Sequence, residues 1–558
     1  MNRPRPTLSL LAVGVGEPSE TVPLGIASVA AAIEAAFGSG LSVVLVEGGA
    51  GEDGDRMAAK LLAGEPSIVG FSVYSWNRAK MGEVARTLRA RGFDGALFAG
   101  GPEASADPFS LAADLDLCFV VVGEGEETSV DALRKLSPGG FARGEAPDLL
   151  MGMPGVALPG REAEFKRRSA PEALRLPSPW IGGQASGAGR DEVVWELSRG
   201  CAFHCTYCYE GRGENGVRAF PRDRIAAELE IFVRDGVRRV FVLDPTFNWK
   251  RERALDLLGL FAERGGDVAW KFEARAELLD KSLSRAFARL NASIQIGLQS
   301  ANPEVLALVG RPGFDPDRFA AKVSLLDAEG VTWGLDLIYG LPGDDIGGFR
   351  RSLDYALGLS PNHLDLFPLT VLPGTELAER AHEFGFVVEG AAPHLLLDSP
   401  HFPAADLAEA GDIARACDLF YTKGRAVSWF LRALAPLRVR PSTFLGRLAK
   451  WLGPEPLKAG RDSEAIEKIQ LAFIEEEYRG RDLDRLLPLL KDIVRFEGAW
   501  GRAIGEGKTG IVELSTEAGF VVDPPCWDLR ELAKRARTRP SRLRVSPGRE
   551  GPKISTVT

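Results

Sequence analysis

The sequence predicts an α/β chain in three parts: a Rossmann-like doubly wound domain, a partial (β/α)6 barrel and a carboxyl-terminal, mainly helical domain. Three observations lead there. Short apolar runs alternate with amphipathic segments over residues 7–136, the same alternation resumes over 192–368, and long helical periodicity replaces it beyond residue 390. A chain of 558 residues also exceeds what one hydrophobic core serves. The expected divisions are 1–140, a linker at 141–190, the barrel at 191–390, the helical domain at 391–535 and a flexible basic tail at 536–558.

In the first part, strands are expected at Leu8 to Val15, Ser42 to Val46, Ile68 to Val73, Ala96 to Ala99 and Leu117 to Val122. Helices are expected at Gly25 to Ala36, Asp55 to Leu62, Arg78 to Arg89 and Glu126 to Lys135. Buried strands separated by helices make a parallel sheet that binds ligands beyond its carboxyl edge. The turns on that edge are rich in Gly and small polar residues: Pro23-Leu24-Gly25, the run from Ser72 through Tyr74, Ser75 and Trp76 to Asn77, Gly100-Gly101-Pro102-Glu103, and Gly123-Glu124-Gly125-Glu126. The Pro- and Gly-rich stretch from Ser137 to Arg190 reads as a linker. Six further strands follow, at Glu192 to Leu197, Arg239 to Leu243, Val268 to Phe272, Ser293 to Leu298, Val331 to Ile338 and Leu364 to Pro368. Six units fall short of an eightfold barrel, and the active site belongs at the strands' carboxyl ends.

The formal charge of −9 argues against a general nucleic-acid binder. No apolar run reaches 18 residues, and prolines at 4 and 6 interrupt the amino-terminal run, so the reading is a first strand in a cytoplasmic protein without a membrane partner. The Arg- and Pro-rich stretch from Lys534 to Lys553 reads as a solvated tail. Of six cysteines, three fall within eight residues, which excludes a disulfide framework. Cys118, Cys417 and Cys526 stand alone and read as small hydrophobes.

The three are Cys201, Cys205 and Cys208, in the segment Ser-Arg-Gly-Cys-Ala-Phe-His-Cys-Thr-Tyr-Cys directly after the first barrel strand. Three thiolates on one loop can hold three irons of a cubane and leave the fourth open to a substrate. On the cysteines alone, zinc stays an alternative, with His204 as an awkward fourth ligand. The Cys-x-x-x-Cys-x-x-Cys spacing, with Tyr207 before the last cysteine, resembles the radical S-adenosylmethionine (SAM) superfamily. So do Asp244-Pro245-Thr246-Phe247-Asn248 at the end of the second strand, Phe272-Glu273-Ala274-Arg275, Gly297-Leu298-Gln299-Ser300, and the run from Asp336 through Gly340 to Asp344. The amino-terminal region, with Val-Gly-Phe-Ser-Val-Tyr-Ser-Trp-Asn, Gly-Gly-Pro-Glu and Gly-Glu-Gly-Glu, resembles the cobalamin-binding domain fused upstream of such a core.

The resemblance implies a [4Fe–4S] cluster on the three cysteines. It puts the SAM amino group near Asp244, Pro245 and Thr246, the ribose and carboxylate near Glu273, Arg275 and Ser300, and the adenine near Tyr207 and Gly340. Gln299 and Asp336 complete the SAM contacts. Plain structural roles compete: Asp244 and Ser300 as helix caps, and Glu273 with Arg275 as a charge pair. The implied cobalamin contacts are Leu24, Gly25, Ser72, Tyr74, Ser75, Trp76, Gly100, Gly101, Pro102, Glu103, Gly123, Glu124, Gly125 and Glu126. No histidine precedes His204, so this domain offers cobalt none as its lower ligand. A nucleotide site of the Gly-x-Gly-x-x-Gly type has no matching turn after the first strand.

By the same resemblance, cobalamin takes a methyl from one SAM while the reduced cluster cleaves another to a 5′-deoxyadenosyl radical. The substrate radical then collects the methyl. The expectation is C-methylation of an unactivated carbon in a natural product or peptide, fed by an external electron donor such as flavodoxin or ferredoxin. Radical cyclisation or rearrangement, and methyl transfer without a radical, are alternatives within the same architecture. A cobalamin sensor or a zinc-stabilised interaction protein is the alternative from another class.

Overall fold

Apolar residues on both faces of the first strands dictate a sheet covered on both sides. The structure, a computed structural model, describes residues 5–15, 22–210, 216–453, 460, 462–548 and 551–557. Strands β1 (Thr7–Gly14), β2 (Ser42–Gly49), β3 (Ile68–Ser72), β4 (Ala96–Gly100), β5 (Phe119–Val121) and β6 (Val156–Ala157) form one sheet in the order β2-β1-β3-β4-β5-β6. Strands β1 to β5 pair in parallel, and β6 runs antiparallel to β5. Leu8, Leu10, Ile68 and Phe98 pack on one face with Ile26, Ile33 and Leu133 of the helices Leu24–Phe37 and Gly125–Leu136. Leu11, Val13, Val69 and Phe71 pack on the other with Met57, Leu61, Met81 and Leu88 of the helices Gly54–Leu62 and Arg78–Ala90. The order reverses between β1 and β3, and a ligand crevice forms at such a switch point.

The stretch expected as a linker therefore closes an edge of this sheet, because Val156 and Ala157 are both buried beside β5. Beyond it, β7 (Glu192–Trp195) leads into a small antiparallel pair, β8 (Ser198–Arg199) with β9 (Arg218–Ala219). Strands β10 (Arg239–Val242), β11 (Ala269–Ala274), β12 (Asn291–Gln299), β13 (Thr332–Tyr339) and β14 (His363–Pro368) complete a second six-stranded sheet with β7, in the order β14-β13-β12-β11-β10-β7. This is the partial barrel, with one strand for each expected segment. Its outer layer is aromatic: Trp270 stacks on Phe261 at 4.5 Å, beside Trp195 and Phe272. Strands β15 (Val387–Val388) and β16 (Leu396–Asp398) make a further short pair.

The chain divides into two compact units. One holds residues 1–294, 321–331 and 370–396, and the other holds 295–320, 332–369 and 397–558. In the second, the helices Ala404–Cys417, Phe430–Leu437, Pro441–Leu452, Ser463–Arg479 and Leu487–Gly505 carry a core in which Phe420, Trp429, Phe430, Phe444 and Phe473 are buried.

The tail expected beyond residue 536 to be flexible instead supplies two strands of a three-stranded sheet, β17 (Gly510–Leu514), β18 (Ser541–Ser546) and β19 (Lys553–Thr556) in antiparallel order. The cause is an alternation concealed by its arginines: Leu543 and Val545 point inward, while Arg542 and Arg544 point to solvent. A groove of about 960 Å³ runs along β17, lined by residues that include Arg495, Arg502, Ile511, Glu513 and Arg542. Among the described residues, no helix is long and apolar enough to cross a membrane.

Candidate active site

All three clustered cysteines lie on the loop that follows β7 and β8, and each is partly exposed. Gly200, at φ +84°, makes the turn into that loop, and a Cβ there would meet the Gly216 carbonyl at 2.4 Å. Asp244, at the end of β10, fixes the loop's root. One of its oxygens accepts from the Leu197 and Ser198 amides at 2.8 and 3.1 Å, and the other accepts from the Ser198 hydroxyl at 2.5 Å. Asp244 is 3% exposed, and burial pushes its carboxyl up to about 6. It thus caps no following helix, and its oxygens are engaged by the cysteine-bearing segment. Thr246 Oγ1 lies 3.9 Å from Cys201 Sγ. Asn248 brackets the backbone of Arg275, exchanging two hydrogen bonds of 3.0 Å with its N–H and C=O.

The Arg275 guanidinium lies 3.8 Å over the Phe203 ring, inside the cysteine loop, and pairs with Glu277 at 3.0 Å. Its carboxylate partner is therefore Glu277 rather than Glu273. Glu273, partly buried on β11, has its carboxyl raised by that burial. Pro245 and Tyr207 are partly buried beside these groups in sequence.

The edge of the first sheet belongs to the same unit. Trp76 is 52% exposed and stacks on Tyr74 with ring centroids 4.3 Å apart. Burial, with Glu196 nearby, raises the Tyr74 hydroxyl. Asn77 fixes this turn: its Oδ1 accepts from the Tyr74 amide at 2.8 Å, and its Nδ2 donates to the Val13 and Ser72 carbonyls at 3.1 Å. Gly101, at φ +110°, brings backbone against backbone, since a Cβ there would meet the Val73 carbonyl at 2.6 Å. Leu24 and Ser72 are buried, Ser75, Gly100 and Gly125 are partly so, and Gly25, Pro102 and Gly123 are exposed on the edge.

The three carboxylates expected among the cobalamin contacts are held by protein cations. Glu103 pairs with Arg78 at 2.9 Å and with His394 Nε2 at 3.2 Å. Glu124 pairs with Arg218 and, at 2.9 Å, with Arg199, which also takes Glu126 at 2.8 Å and Glu196 at 3.0 Å. Burial raises the Glu196 carboxyl. Glu196, Arg199, Arg218, His394 and Asn77 were absent from the candidate set. Only Asn77 and Arg199 carry a local hint, the one ending the edge turn that begins at Ser72 and the other standing inside the cysteine segment.

The second unit carries the remaining candidates. Gln299 has a left-handed backbone at φ +69°, and its buried Oε1 has no hydrogen-bond partner among the described residues. Ser300 accepts from the Asn302 amide at 3.1 Å and lies 3.3 Å from the Ser352 hydroxyl. Asn302, rather than Ser300, caps the next helix. Asp336 accepts from Gln295 at 2.5 Å, and Gln295 also reaches Asp365 at 3.2 Å and His363. Alternation along β12 to β14 puts Gln295, Asp336, His363 and Asp365 on one face, a signal that could have added the other three to Asp336. Gly340 follows β13 at φ +90°.

The sequence profile of the Radical SAM superfamily matches residues 195–356, and that of the B12 binding domain matches residues 12–133. The chain belongs to the cobalamin-binding radical SAM family. Its cofactors are a [4Fe–4S] cluster, SAM and cobalamin. It is 28% identical over 346 residues to the cobalamin-dependent radical SAM methyltransferase TokK of Streptomyces tokunonensis, covering 58% of this chain and 50% of the relative. It is 26% identical over 376 residues to the 2-(S-pantetheinyl)-carbapenam-3-carboxylate methyltransferase of Streptantibioticus cattleyicolor, covering 62% and 53%. The chain thus spans about half the length of these relatives. Its fold is similar to that of the cobalamin-dependent SAM radical enzyme OxsB with aqua-cobalamin bound, at a TM-score of 0.58 and 15% identity over 95% of this chain and 83% of the other. It also resembles the methyltransferase TsrM of Kitasatospora setae, at a TM-score of 0.55 and 18% identity over 69% and 79%.

The residues present fit these groups. Among the described residues, no three His, Cys, Asp or Glu side chains converge to hold a single metal ion. A cubane does not ask for that, because each thiolate binds its own iron. The exposed Trp76 face and the close backbone approach at Gly101 leave an edge against which a large flat ring can lie.

Proposed function

We propose that this protein is a cobalamin-dependent radical SAM methyltransferase that adds a methyl group to an unactivated carbon of a natural-product or peptide substrate. The observation that carries this reading is the union of a B12-binding domain with a radical SAM domain bearing the three cysteines, in a chain 28% identical to a cobalamin-dependent radical SAM methyltransferase. The ion pairs from Glu124 and Glu126 to Arg199 tie the glycine-rich edge of the first sheet to the segment entering Cys201. Cys201, Cys205 and Cys208 would hold the cluster and leave one iron open to the amino and carboxylate groups of SAM. When bound, the cluster and SAM supply a carbon radical, and cobalamin supplies the methyl group.

The chain's own residues align and shield these groups. Asp244 holds Leu197 and Ser198, and so the start of the cysteine loop, in place. Arg275 stiffens the loop through Phe203. Glu273, Tyr207, Pro245 and Thr246 are assigned to SAM, together with Gln299, Ser300, Asp336 and Gly340. Leu24, Gly25, Ser72, Tyr74, Ser75, Trp76 and the glycines of the β4 and β5 turns are assigned to cobalamin. Glu103, Glu124 and Glu126 are assigned to holding that edge. A low-potential donor of the flavodoxin or ferredoxin type would reduce the cluster.

The test is anaerobic reconstitution with iron, sulfide and hydroxocobalamin, followed by SAM labelled with deuterium in its methyl group, a strong reductant, and a metabolite extract from cells lacking the gene. The expected result is 5′-deoxyadenosine, S-adenosylhomocysteine and a product carrying the labelled methyl. An altered product without label would replace this reading with cyclisation or rearrangement. Labelled product without 5′-deoxyadenosine would replace it with non-radical transfer, and intact SAM throughout would refute it.

A further inference from the structure

We infer that Arg199 is a positioning residue through which the cobalamin edge and the cluster loop sense each other. The inference rests on the cofactor assignments proposed above. Its guanidinium is shared by three carboxylates from two places in the chain. Glu124 and Glu126 flank Gly125 in the turn after β5, and Glu196 ends the run from β7. The side chain is only 13% exposed, so these pairs are little screened by solvent. Two residues further on is Cys201, and Gly200 between them has its backbone against Gly216, where no side chain fits.

Arg199 is itself fixed by the β8–β9 pairing, opposite Arg218. Arg218 grips Glu124 as well and donates to the Pro171 carbonyl at 2.6 Å. A shift of the Gly-Glu-Gly-Glu turn as a corrin settles on it therefore has a short, stiff path to the first cysteine. The planar fork of an arginine can satisfy three acceptors at fixed angles. A lysine offers one mobile point charge and keeps the charge balance without the geometry. A glutamine leaves three carboxylates facing one another, with Arg218 still paired to Glu124.

The test uses the full chain, reconstituted anaerobically, as wild type, R199Q, R199K, E126Q and R199Q/E126Q. Hydroxocobalamin is titrated by visible absorbance, iron and sulfide are counted, and the reduced cluster is followed by electron paramagnetic resonance with and without cobalamin. In the wild type, cobalamin is expected to alter the cluster signal. R199Q should keep its iron and sulfide, bind hydroxocobalamin at least about tenfold more weakly, a loss of about 1.4 kcal/mol, and show a cluster signal that no longer responds. R199K should recover part of the affinity, and the double variant should bind no worse than R199Q, because both substitutions break one interaction.

Wild-type affinity and response in R199Q would overturn the inference. So would multiplying losses in the double variant, which would mean that Glu126 touches cobalamin by itself, or loss of the cluster in R199Q with cobalamin binding intact. Should R199Q fail to fold, E126Q carries the test alone, and an unchanged affinity and response there would refute the coupling. Wild-type protein that takes up neither cluster nor cobalamin would instead refute the functional reading beneath it.

Discussion

Asp244 is the most exacting place to test how the cysteine loop is held, because its buried carboxylate anchors the loop and is costly to ionise. Its carboxyl is pushed from an ordinary 3.8 up to about 6 by burial, against three hydrogen bonds that favour the charged form. At about 1.4 kcal/mol per pH unit, that gap corresponds to about 3 kcal/mol. The folded chain binds this proton more tightly than the unfolded chain. The stability it contributes is therefore present below about pH 4 and is lost as pH rises through about 6.

The D244N variant removes the titration but not the contacts. Its amide oxygen accepts from the Leu197 and Ser198 amides, and its NH2 donates to the Ser198 oxygen. The variant should therefore match the wild type in acid and gain on it with rising pH, reaching up to about 3 kcal/mol at pH 7.5. For a compact unit of roughly 300 residues that is a melting-temperature difference of about 4–5 °C. D244A should instead fall below the wild type throughout, because two amides and a hydroxyl lose their acceptor at a cost of about 1–3 kcal/mol each. The assay is thermal unfolding of cluster-free protein in steps from pH 4.5 to 8, read as variant minus wild type so that other titrating groups cancel. A difference that does not change with pH, or D244N melting below the wild type at pH 7.5, would refute the reasoning.

Changing any one of Cys201, Cys205 or Cys208 to Ala should abolish the brown chromophore and SAM cleavage together, as judged by iron and sulfide analysis. Four irons retained in such a variant would sink the cluster assignment. The cob(II)alamin form should give a paramagnetic resonance spectrum free of nitrogen splitting from an axial imidazole, since the first domain carries no histidine and His394, packed against this edge, has its Nε2 on Glu103. Trp76→Ala should lower cobalamin content while leaving the melting temperature of the apoprotein nearly unchanged, because the side chain is half exposed; the reverse outcome would make it a packing residue. Asn77→Ala should do the opposite first, costing about 2–4 kcal/mol in denaturant unfolding by stripping partners from the Tyr74 amide and the Val13 and Ser72 carbonyls.

Much of the architecture was written in local pattern. A strand such as Ile68–Ser72, buried at every position, cannot be disguised, and three cysteines within eight residues announce themselves. Contacts that join distant segments were beyond reach. Glu103, expected on the ligand edge, pairs with Arg78 and with His394, which lies 291 residues away and leaves no local signal. The ion pairs of Glu124 and Glu126 were hidden in the same way, since Arg199 and Arg218 belong to a segment whose cysteines draw attention to a different chemistry. Asp244 is expected near SAM from a resemblance, and its hold on the Leu197 and Ser198 amides at the neighbouring strand's exit has no signature in the sequence. The strands at 541–546 and 553–556 were hidden because a half-buried edge of a small sheet needs only two apolar residues, and Arg and Pro set the composition around them.

Asn77 and Trp76 divide two duties between adjacent positions. The Asn77 side chain holds the Tyr74 amide and the Val13 and Ser72 carbonyls, so the fold asks little of residue 76 beyond its stacking on Tyr74. Natural selection, or a saturation library, can exchange that side chain for a charged, polar or small one and tune whatever lies against it, while the scaffold's melting behaviour stays where it was. Position 76 is thus a site of cheap functional innovation, insured by the residue that follows it.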